Sequence, residues 1–368
     1  MQHRVYILLL ILFSLVGCEE PFMPEIDVQG GFLVFEGQIT DQDEVHVVKI
    51  NRSVAFNEKS VFEPASGFTV FVEDENGQHH LFSEKRQGYY QSSAFKGLYN
   101  YRYRLLAISP EGKTYASDWE VLLQSAPVAK IRGTFYMNQW LERIEGQGYV
   151  EHNDPGLQLL VSGDFNAYTP FYRYEYQAIF QTTQTYPTVP FLTTYYIVRP
   201  FSSLSSGFVQ VLNGNLYQNQ KVEDYPLDFV TKALMTMKIT IDSVEIDSTG
   251  NRIFETAYIH YAQHGAIFKV NQYSLSESAF KFWEAVYKQQ EASGQLFDPV
   301  ETQIFGNVKC ISDSTEQVFG YFSASALTSK ISHLFLTYDN KVVVTPVDSF
   351  PDISSTQASV QKFPFWVN

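Results

Sequence analysis

Cysteine and basic residues are scarce in this chain, which limits disulfide bonding and argues against binding of nucleic acid. The 368 residues include two cysteines, Cys18 and Cys310. Lysine and arginine number 26 against 40 aspartates and glutamates, which gives a formal net charge of −14. Nucleic-acid binding needs a basic footprint for the phosphates, so we expect no nucleic-acid partner. The same charge balance argues against adsorption to anionic lipid through surface charge.

Long apolar segments are scarce as well. The longest covers residues 5–13 after a short basic start, and it is too short for a transmembrane helix, which needs about 20 residues. Such a run is typical of a secretory signal peptide. Its Leu-Val-Gly-Cys end resembles the lipobox, where signal peptidase II cleaves between Gly17 and Cys18 and the thiol carries diacylglycerol. The sequence therefore predicts a signal peptide over residues 1–17 and a lipid anchor on Cys18.

Residues 18–30 contain several acids and two prolines without apolar periodicity, which predicts an extended acidic tether. Acidic residues directly after the lipidated cysteine resemble the signals that direct Bacteroidota lipoproteins to the outer-membrane surface. We therefore expect a protein anchored in outer-membrane lipid through Cys18 and displayed on the cell surface, with a plain solvated spacer as the alternative. A lipidated Cys18 leaves Cys310 without a disulfide partner, so we interpret Cys310 as a half-buried strand residue.

Aromatic residues make up 16% of the chain, with 30 Phe and 24 Tyr, and they recur at alternating positions. Aromatic and β-branched runs between Gly, Pro, Asn and Asp predict a mainly β protein. About seven short strands separated by turn signals fall within residues 31–125, which predicts an immunoglobulin-like or transthyretin-like sandwich domain. The strongest turn signal is Asn76-Gly77, because both residue types tolerate positive φ.

A larger β-rich domain is predicted for residues 126–368, after a boundary at Ser125-Ala126-Pro127. Its strands are expected at residues 156–165, 171–184, 195–199, 208–212, 234–246 and 253–271. Residues 182–204 are rich in Thr, Tyr, Pro and Ser, and we expect them to form a long loop that carries a short strand.

One amphipathic helix is predicted near residues 276–293. Apolar residues recur there at helical spacing, namely Ala279, Phe280, Trp283, Val286 and Tyr287. Ser276 is a candidate N-cap, and Gly294 supplies the stop. Ser274 and Glu277 have the alternative spacing of a capping box. We expect the helix to lie across a sheet face.

Several motifs, in order along the chain, resemble one protein family. They are LVFEGQIT and VKINRS at residues 33–40 and 48–53, GQLFDP and GNV at residues 294–299 and 306–308, and GYFSAS at residues 320–325. They resemble the LVVEGxIT…VxLxRS, GGxFDPxP…GN and GYFxAS patterns of a Bacteroidota outer-membrane lipoprotein family labelled a domain of unknown function (DUF4249). The chain departs from the pattern at Gln295, where a second glycine is common, and at Val300-Glu301, where a proline is usual.

The resemblance implies a role at the cell surface. Members of this family are often encoded near TonB-dependent outer-membrane receptors that carry a carboxypeptidase-like regulatory domain. The family therefore suggests an accessory protein of such a receptor, and it supplies no chemistry of its own.

Motifs for catalysis, metals and cofactors are missing. The sequence contains no GxSxG, P-loop or GxGxxG motif and no readable Cys-His pairing. His260 and His264 have the spacing of a helical zinc pair, but their surroundings predict a strand, where residues four apart lie about 13 Å from each other. We therefore predict no catalytic residue, no metal site and no cofactor.

One loop combines a helix stop with a rigid turn, and it is the candidate binding loop. It contains Gly294, Phe297, Asp298 and Pro299. We favour a structural connector that packs the helix back onto the sheet, because loops more often join elements than bind ligands.

The sequence as a whole predicts a non-enzymatic, lipid-anchored binding or assembly partner of a TonB-dependent transporter. A surface hydrolase acting on glycans or peptides is one alternative, since two catalytic carboxylates need no sequence proximity. A cell-surface adhesin is the other.

Overall fold

The computed structural model describes residues 31–54, 62–144, 148–187, 192–199, 209–231, 236–246, 249, 252–263, 265–292, 303–337 and 339–347. Strands make up most of these residues, and one α-helix lies among them, so the predicted mainly β class is confirmed. Within this part of the chain, no helix is both long enough and apolar enough to cross a membrane.

Buried and more exposed side chains alternate along the first strand, β1 (Leu33–Thr40). Leu33, Phe35 and Ile39 are buried, and Glu36 is exposed. Eight further strands precede residue 122. They are β2 (Val47–Ser53), β3 (Phe62–Pro64), β4 (Thr69–Asp74), β5 (His79–Arg86), β6 (Tyr89–Ser92), β7 (Arg102–Ile108), β8 (Thr114–Ser117) and β9 (Glu120–Val121).

The predicted Asn76-Gly77 hairpin is confirmed, because β4 and β5 pair across this turn. Asp74 Oδ1 accepts hydrogen bonds from the backbone N–H groups of Asn76 and Gln78 at 2.9 Å. Gly77 has a φ of +80°, the left-handed conformation that glycine adopts at little cost.

Longer strands follow residue 129, together with one helix, α1 (Glu277–Ala292). The strands are β10 (Lys130–Ile144), β11 (Gly148–Asp164), β12 (Phe171–Pro187), β13 (Leu192–Arg199), β14 (Gln210–Asn213), β15 (Lys221–Thr231), β16 (Thr236–Ile246), β17 (Arg252–Gln263), β18 (Ala266–Ser274), β19 (Val308–Cys310), β20 (Val318–Ser325), β21 (Leu327–Leu336) and β22 (Val342–Pro346).

The described strands form four sheets. The largest has eleven strands in the order β19-β8-β7-β4-β5-β6-β2-β1-β20, with β3 on β2 and β9 on β7. A second has the order β13-β12-β18-β21-β22, with β14 on β12. The order β10-β11-β15 forms a third sheet, and the pair β16-β17 forms the fourth.

The eleven-stranded sheet folds over on itself. Phe35 on β1 and Tyr115 on β8 lie six places apart in the strand order, yet their ring centroids are 5.3 Å apart. Phe68 also packs edge-on against Phe35 at 6.2 Å. The two ends of one curled sheet therefore enclose a single apolar core, while a second core lies between the sheets that follow residue 126.

Two strands from late in the chain complete the first sheet. Strand β20 pairs in parallel with β1 along its whole length, and β19 pairs antiparallel with β8. The first sheet therefore contains strands from both sides of the boundary predicted near residue 125. Cys310 lies on β19 and is buried, which agrees with its interpretation as a strand residue.

Two motif glycines allow this closure. A Cβ atom on Gly320 would lie 1.9 Å from the carbonyl oxygen of Phe35, and one on Gly306 would lie 1.4 Å from the carbonyl oxygen of Gly320. Gly320 also has a φ of +94°. Three backbone segments therefore stack at a distance that no side chain permits.

The predicted helix is confirmed, and the structure selects Ser276 as its N-cap. Ser276 Oγ accepts a hydrogen bond from the N–H of Ala279 at 3.1 Å. Ser274, the capping-box alternative, instead donates to the carbonyl of Leu123 at 2.6 Å. The apolar stripe of α1 packs on β12, β14 and β20, as expected for a helix across a sheet. The predicted stop at Gly294 lies outside the described residues.

The structure differs from the strand predictions after residue 126 at three places. The expected strand 253–271 is split into β17 and β18, because Gly265 turns the chain with a φ of +69°. The short strand expected at residues 195–199 is present within β13, but residues 182–187 pair with β13 in a hairpin where a loop was expected. No strand was predicted over residues 130–144, where β10 forms.

Replacing Gly320 with alanine tests the backbone stack. We expect Gly320→Ala to lower the free energy of unfolding by roughly 3 kcal/mol more than Gly112→Ala, because its methyl group overlaps the Phe35 carbonyl. Gly112 is the matched control, since it has a φ of +84° and open space around its Cβ position. Urea unfolding followed by circular dichroism measures both, and equal losses would contradict the stack.

Candidate functional site

Most of the residues predicted as sites lie outside the described part of the chain. This holds for Gly17 and Cys18 at the predicted cleavage and lipidation site. It also holds for the candidate binding loop with Gly294, Phe297, Asp298 and Pro299. The structure therefore leaves these predictions as predictions. Among the described residues, no group of three or more His, Cys, Asp or Glu side chains is arranged to hold a metal ion.

The family motifs converge on one buried carboxylate, Glu120, which the sequence analysis did not single out. Its Oε1 accepts hydrogen bonds from Tyr321 Oη at 2.5 Å and Asn307 Nδ2 at 3.3 Å. Ser276 Oγ donates to Oε2 at 2.6 Å, and Ser278 Oγ donates to Oε1 at 3.0 Å. Asn307 comes from the GNV motif and Tyr321 from the GYFSAS motif, so the motif side chains serve this contact.

Burial dominates the electrostatics of Glu120. Burial raises the pKa of the carboxyl group above its ordinary value of 4.5, and the four hydrogen bonds act in the opposite direction without cancelling it. No lysine or arginine among the described residues forms an ion pair with Glu120. The N-terminus of α1, where Ser276 and Ser278 donate to Glu120, carries a partial positive charge from its backbone N–H groups.

A buried carboxyl group with a raised pKa is a feature of active sites, but the contacts of Glu120 indicate a structural role. Both oxygens of Glu120 are occupied by donors that belong to the fold. The nearest carboxylate along the chain, Asp118, forms an ion pair with Lys309 at 2.9 Å. The arrangement therefore joins α1, β9 and β20, and we assign Glu120 a structural role.

The most exposed apolar surface lies on the long hairpin of β10 and β11. Among the described residues, the pairing of β11 with β15 begins at Gly156, and residues 148–155 of β11 pair with β10 alone. We call residues 137–144 and 148–155 the ribbon. It carries five of the eighteen exposed large apolar side chains of the described residues, namely Met137, Trp140, Leu141, Tyr149 and Val150.

Cross-strand registry divides these side chains between two faces. Trp140 pairs with His152, and Val150 lies two residues from His152 on the same face. Met137 and Leu141 lie on the opposite face with Tyr149, whose side chain is 69% exposed. Both faces of the ribbon therefore present apolar side chains to solvent, although a two-stranded hairpin alone is only marginally stable in water.

Polar contacts hold Trp140 in place. Its ring stacks on His152 with centroids 4.2 Å apart, and its Nε1–H donates to Asp154 Oδ2 at 2.9 Å. His152 Nε2 in turn lies 2.8 Å from Glu142 Oε2. The indole is thus fixed while 43% exposed, and a fixed aromatic side chain loses little conformational entropy when a partner covers it.

The sequence model of the family described as "Domain of unknown function (DUF4249)" matches residues 19–331. The match covers most of the chain, so the protein belongs to this family and the motif resemblance is confirmed. No curated protein and no solved structure matches the chain.

The Glu120 assignment predicts a pH-dependent difference between the wild type and Glu120→Gln. Because the folded pKa is raised, the stability that this group contributes is present below about pH 4.5 and is lost as the pH rises through the folded pKa. We expect the stability of Glu120→Gln relative to the wild type to increase as the pH rises from about 4.5 through the neutral range.

Urea unfolding across this pH range measures the difference. Glu223→Gln is the control, because it removes one negative charge from an exposed side chain on β15. A wild type that becomes more stable than Glu120→Gln as the pH rises would show that the hydrogen bonds outweigh burial.

Proposed function

We propose that the protein is a lipid-anchored accessory protein of the outer membrane that docks through the ribbon on a TonB-dependent transporter. The observation that carries the proposal is the exposure of Met137, Trp140, Leu141, Tyr149 and Val150 on one hairpin of β10 and β11. Clustered exposed apolar and aromatic side chains mark protein interaction surfaces. The lipobox resemblance supports the anchor, and the family resemblance supports the choice of partner.

The predicted tether restricts where the partner lies. Twelve residues, 19–30, separate Cys18 from the first described residue, Gly31. A chain of this length spans at most about 40 Å when fully extended. A lipid on Cys18 therefore keeps the folded body close to the bilayer, and the short tether raises the local concentration of the ribbon at a membrane partner.

A mixed surface supports docking on a folded protein. Glu142, Glu151 and Asp154 alternate with the apolar side chains of the ribbon. An acidic rim of this kind opposes adsorption to anionic lipid, whereas a protein partner supplies basic or polar groups that match it. The ribbon thus fits a protein surface at the membrane better than the membrane itself.

Lipidation is tested by Cys18→Ser. We expect the variant to lose incorporation of radiolabelled palmitate and to leave the membrane fraction, because the anchor depends on burial of acyl chains. Cys310→Ser is the matched control: it removes the other cysteine, which is buried on β19, and keeps the label. Labelling of Cys18→Ser at the wild-type level would contradict the anchor.

Docking is tested by a triple variant, Trp140→Ala with Leu141→Ala and Tyr149→Ala. A tagged wild type, expressed at its normal level and purified in mild detergent, is expected to recover a TonB-dependent transporter. We expect the triple variant to recover less than about one tenth as much, because truncation of central interface residues typically costs about 2 kcal/mol or more each.

The matched control removes exposed apolar side chains elsewhere, through Leu81→Ala, Trp119→Ala and Leu216→Ala. It is expected to recover as much transporter as the wild type. Recovery of the lipoprotein alone from native membranes would count against the transporter. Equal recovery by both triple variants would remove the role of the ribbon.

A further inference from the structure

A polar cleft lies where the curled first sheet meets β12, β18 and α1. Its volume is about 290 Å³, which suits a small ligand. The outer face of β1 contributes Glu36 and Gln38, since their neighbours Phe35 and Ile39 point into the core. Arg173 lies on the opposite wall and bridges to Gln38 Oε1 through Nη2 at 2.8 Å.

Arg173 is held rigidly in this cleft. Its side chain is nearly fully buried, and its guanidinium lies against the rings of Tyr273 and Trp283, 4.8 Å and 4.6 Å from their centroids. Glu175 Oε1 accepts a hydrogen bond from Nη1 at 2.5 Å. A guanidinium packed against two aromatic rings keeps a fixed direction for its remaining N–H groups.

Three buried N–H donors in this cleft have no acceptor. They are Arg173 Nε, Gln38 Nε2 and Trp283 Nε1. The hydrogen bond from Arg173 fixes the amide of Gln38 with its oxygen toward the guanidinium, so the amide N–H groups face away from it. Buried donors without acceptors are costly, and three around one cleft indicate a ligand that carries acceptor oxygens.

The charges of the cleft add a second requirement. Lys49 pairs with Glu36 at 3.1 Å, and Arg173 pairs with Glu175. Glu44 also lines the cleft, and it forms no ion pair with any described residue; its Oε1 accepts only from Thr40 Oγ1, at 2.5 Å. The cleft thus combines N–H donors from both walls with the uncompensated carboxylate of Glu44.

We propose that the cleft binds a small zwitterion of the amino-acid or short-peptide class. The carboxylate of the ligand accepts from Arg173, Gln38 and Trp283, and its ammonium group binds Glu44. A simple anion satisfies the donors but is repelled by Glu44, and a neutral sugar forms no ion pair with either Arg173 or Glu44. The donors are covered by neighbouring side chains, so binding requires a rotamer change in the cleft, as is common at interfaces.

Isothermal titration calorimetry on the purified full-length chain in detergent tests the proposal, with alanylalanine as the probe. We expect saturable binding of alanylalanine. We expect its N-acetylated form, which lacks the ammonium group, and its amidated form, which lacks the carboxylate, to bind at least about tenfold more weakly. Glucose is expected to give no binding heat.

Two variants locate the site. Trp283→Phe removes the indole N–H and keeps an aromatic ring over Arg173, and Glu44→Gln removes the charge and keeps an acceptor for Thr40. Each is expected to weaken binding of alanylalanine about tenfold. Trp119→Phe and Glu63→Gln make the same changes at exposed positions outside the cleft, and they are expected to leave binding unchanged.

The proposal is overturned if alanylalanine gives no heat at about 10 mM, a concentration at which millimolar affinity would be measured. Equal binding of the N-acetylated or amidated form, or binding of glucose in place of alanylalanine, overturns the assignment of a zwitterionic ligand. Unchanged affinity in Trp283→Phe and Glu44→Gln overturns the location. The measurement needs no partner protein, so its failure leaves the docking proposal standing.

Discussion

Parallel pairing of β1 with β20 is the contact on which the rest of the described structure depends. It joins residues near 35 to residues near 320, and it closes the curled sheet at one edge. The backbones of Phe35, Gly320 and Gly306 lie so close together that no Cβ atom fits between them. Once β20 is in place, β21 continues directly into the second sheet. The two sheets are therefore joined where β20 leads into β21, and the hydrogen bond between Arg173 and Gln38 links them as well.

Glu120 couples the same region to the helix. Its carboxylate receives donors from the N-terminus of α1 and from the GNV and GYFSAS motifs, so three segments far apart in sequence share one acceptor. Asn307 and Tyr321, from two of the family motifs, thus have structural partners in this cluster. The surfaces with unmet interactions are the ribbon and the cleft around Arg173. The structural and the interacting residues overlap, since Gln38 belongs to the LVFEGQIT motif and also lines the cleft.

Local signals predicted local elements well. Asn76-Gly77 indicated a hairpin because the turn itself requires positive φ, and the stripe from Ala279 to Tyr287 indicated α1 because its period is helical. The same signals failed for β10, which from Tyr136 onward is largely exposed on both faces and so lacks the alternation that marks a half-buried strand. They failed at Gly265 too, where the positive φ that breaks the strand coincides with a close approach to the Leu334 backbone, which the local sequence does not show.

The amino-acid sequence by itself determined the β class, the helix and a predicted lipid anchor at Cys18, because each depends on residues close together in the chain, and the order of the motifs indicated the family. Only the tertiary structure decided that β19 and β20 return to the first sheet, that Glu120 accepts four donors, and that Arg173 meets Gln38 and Trp283 in a cleft. These contacts join residues more than a hundred positions apart. Long-range pairing depends on how the sheets curl and pack, and local patterns do not encode it.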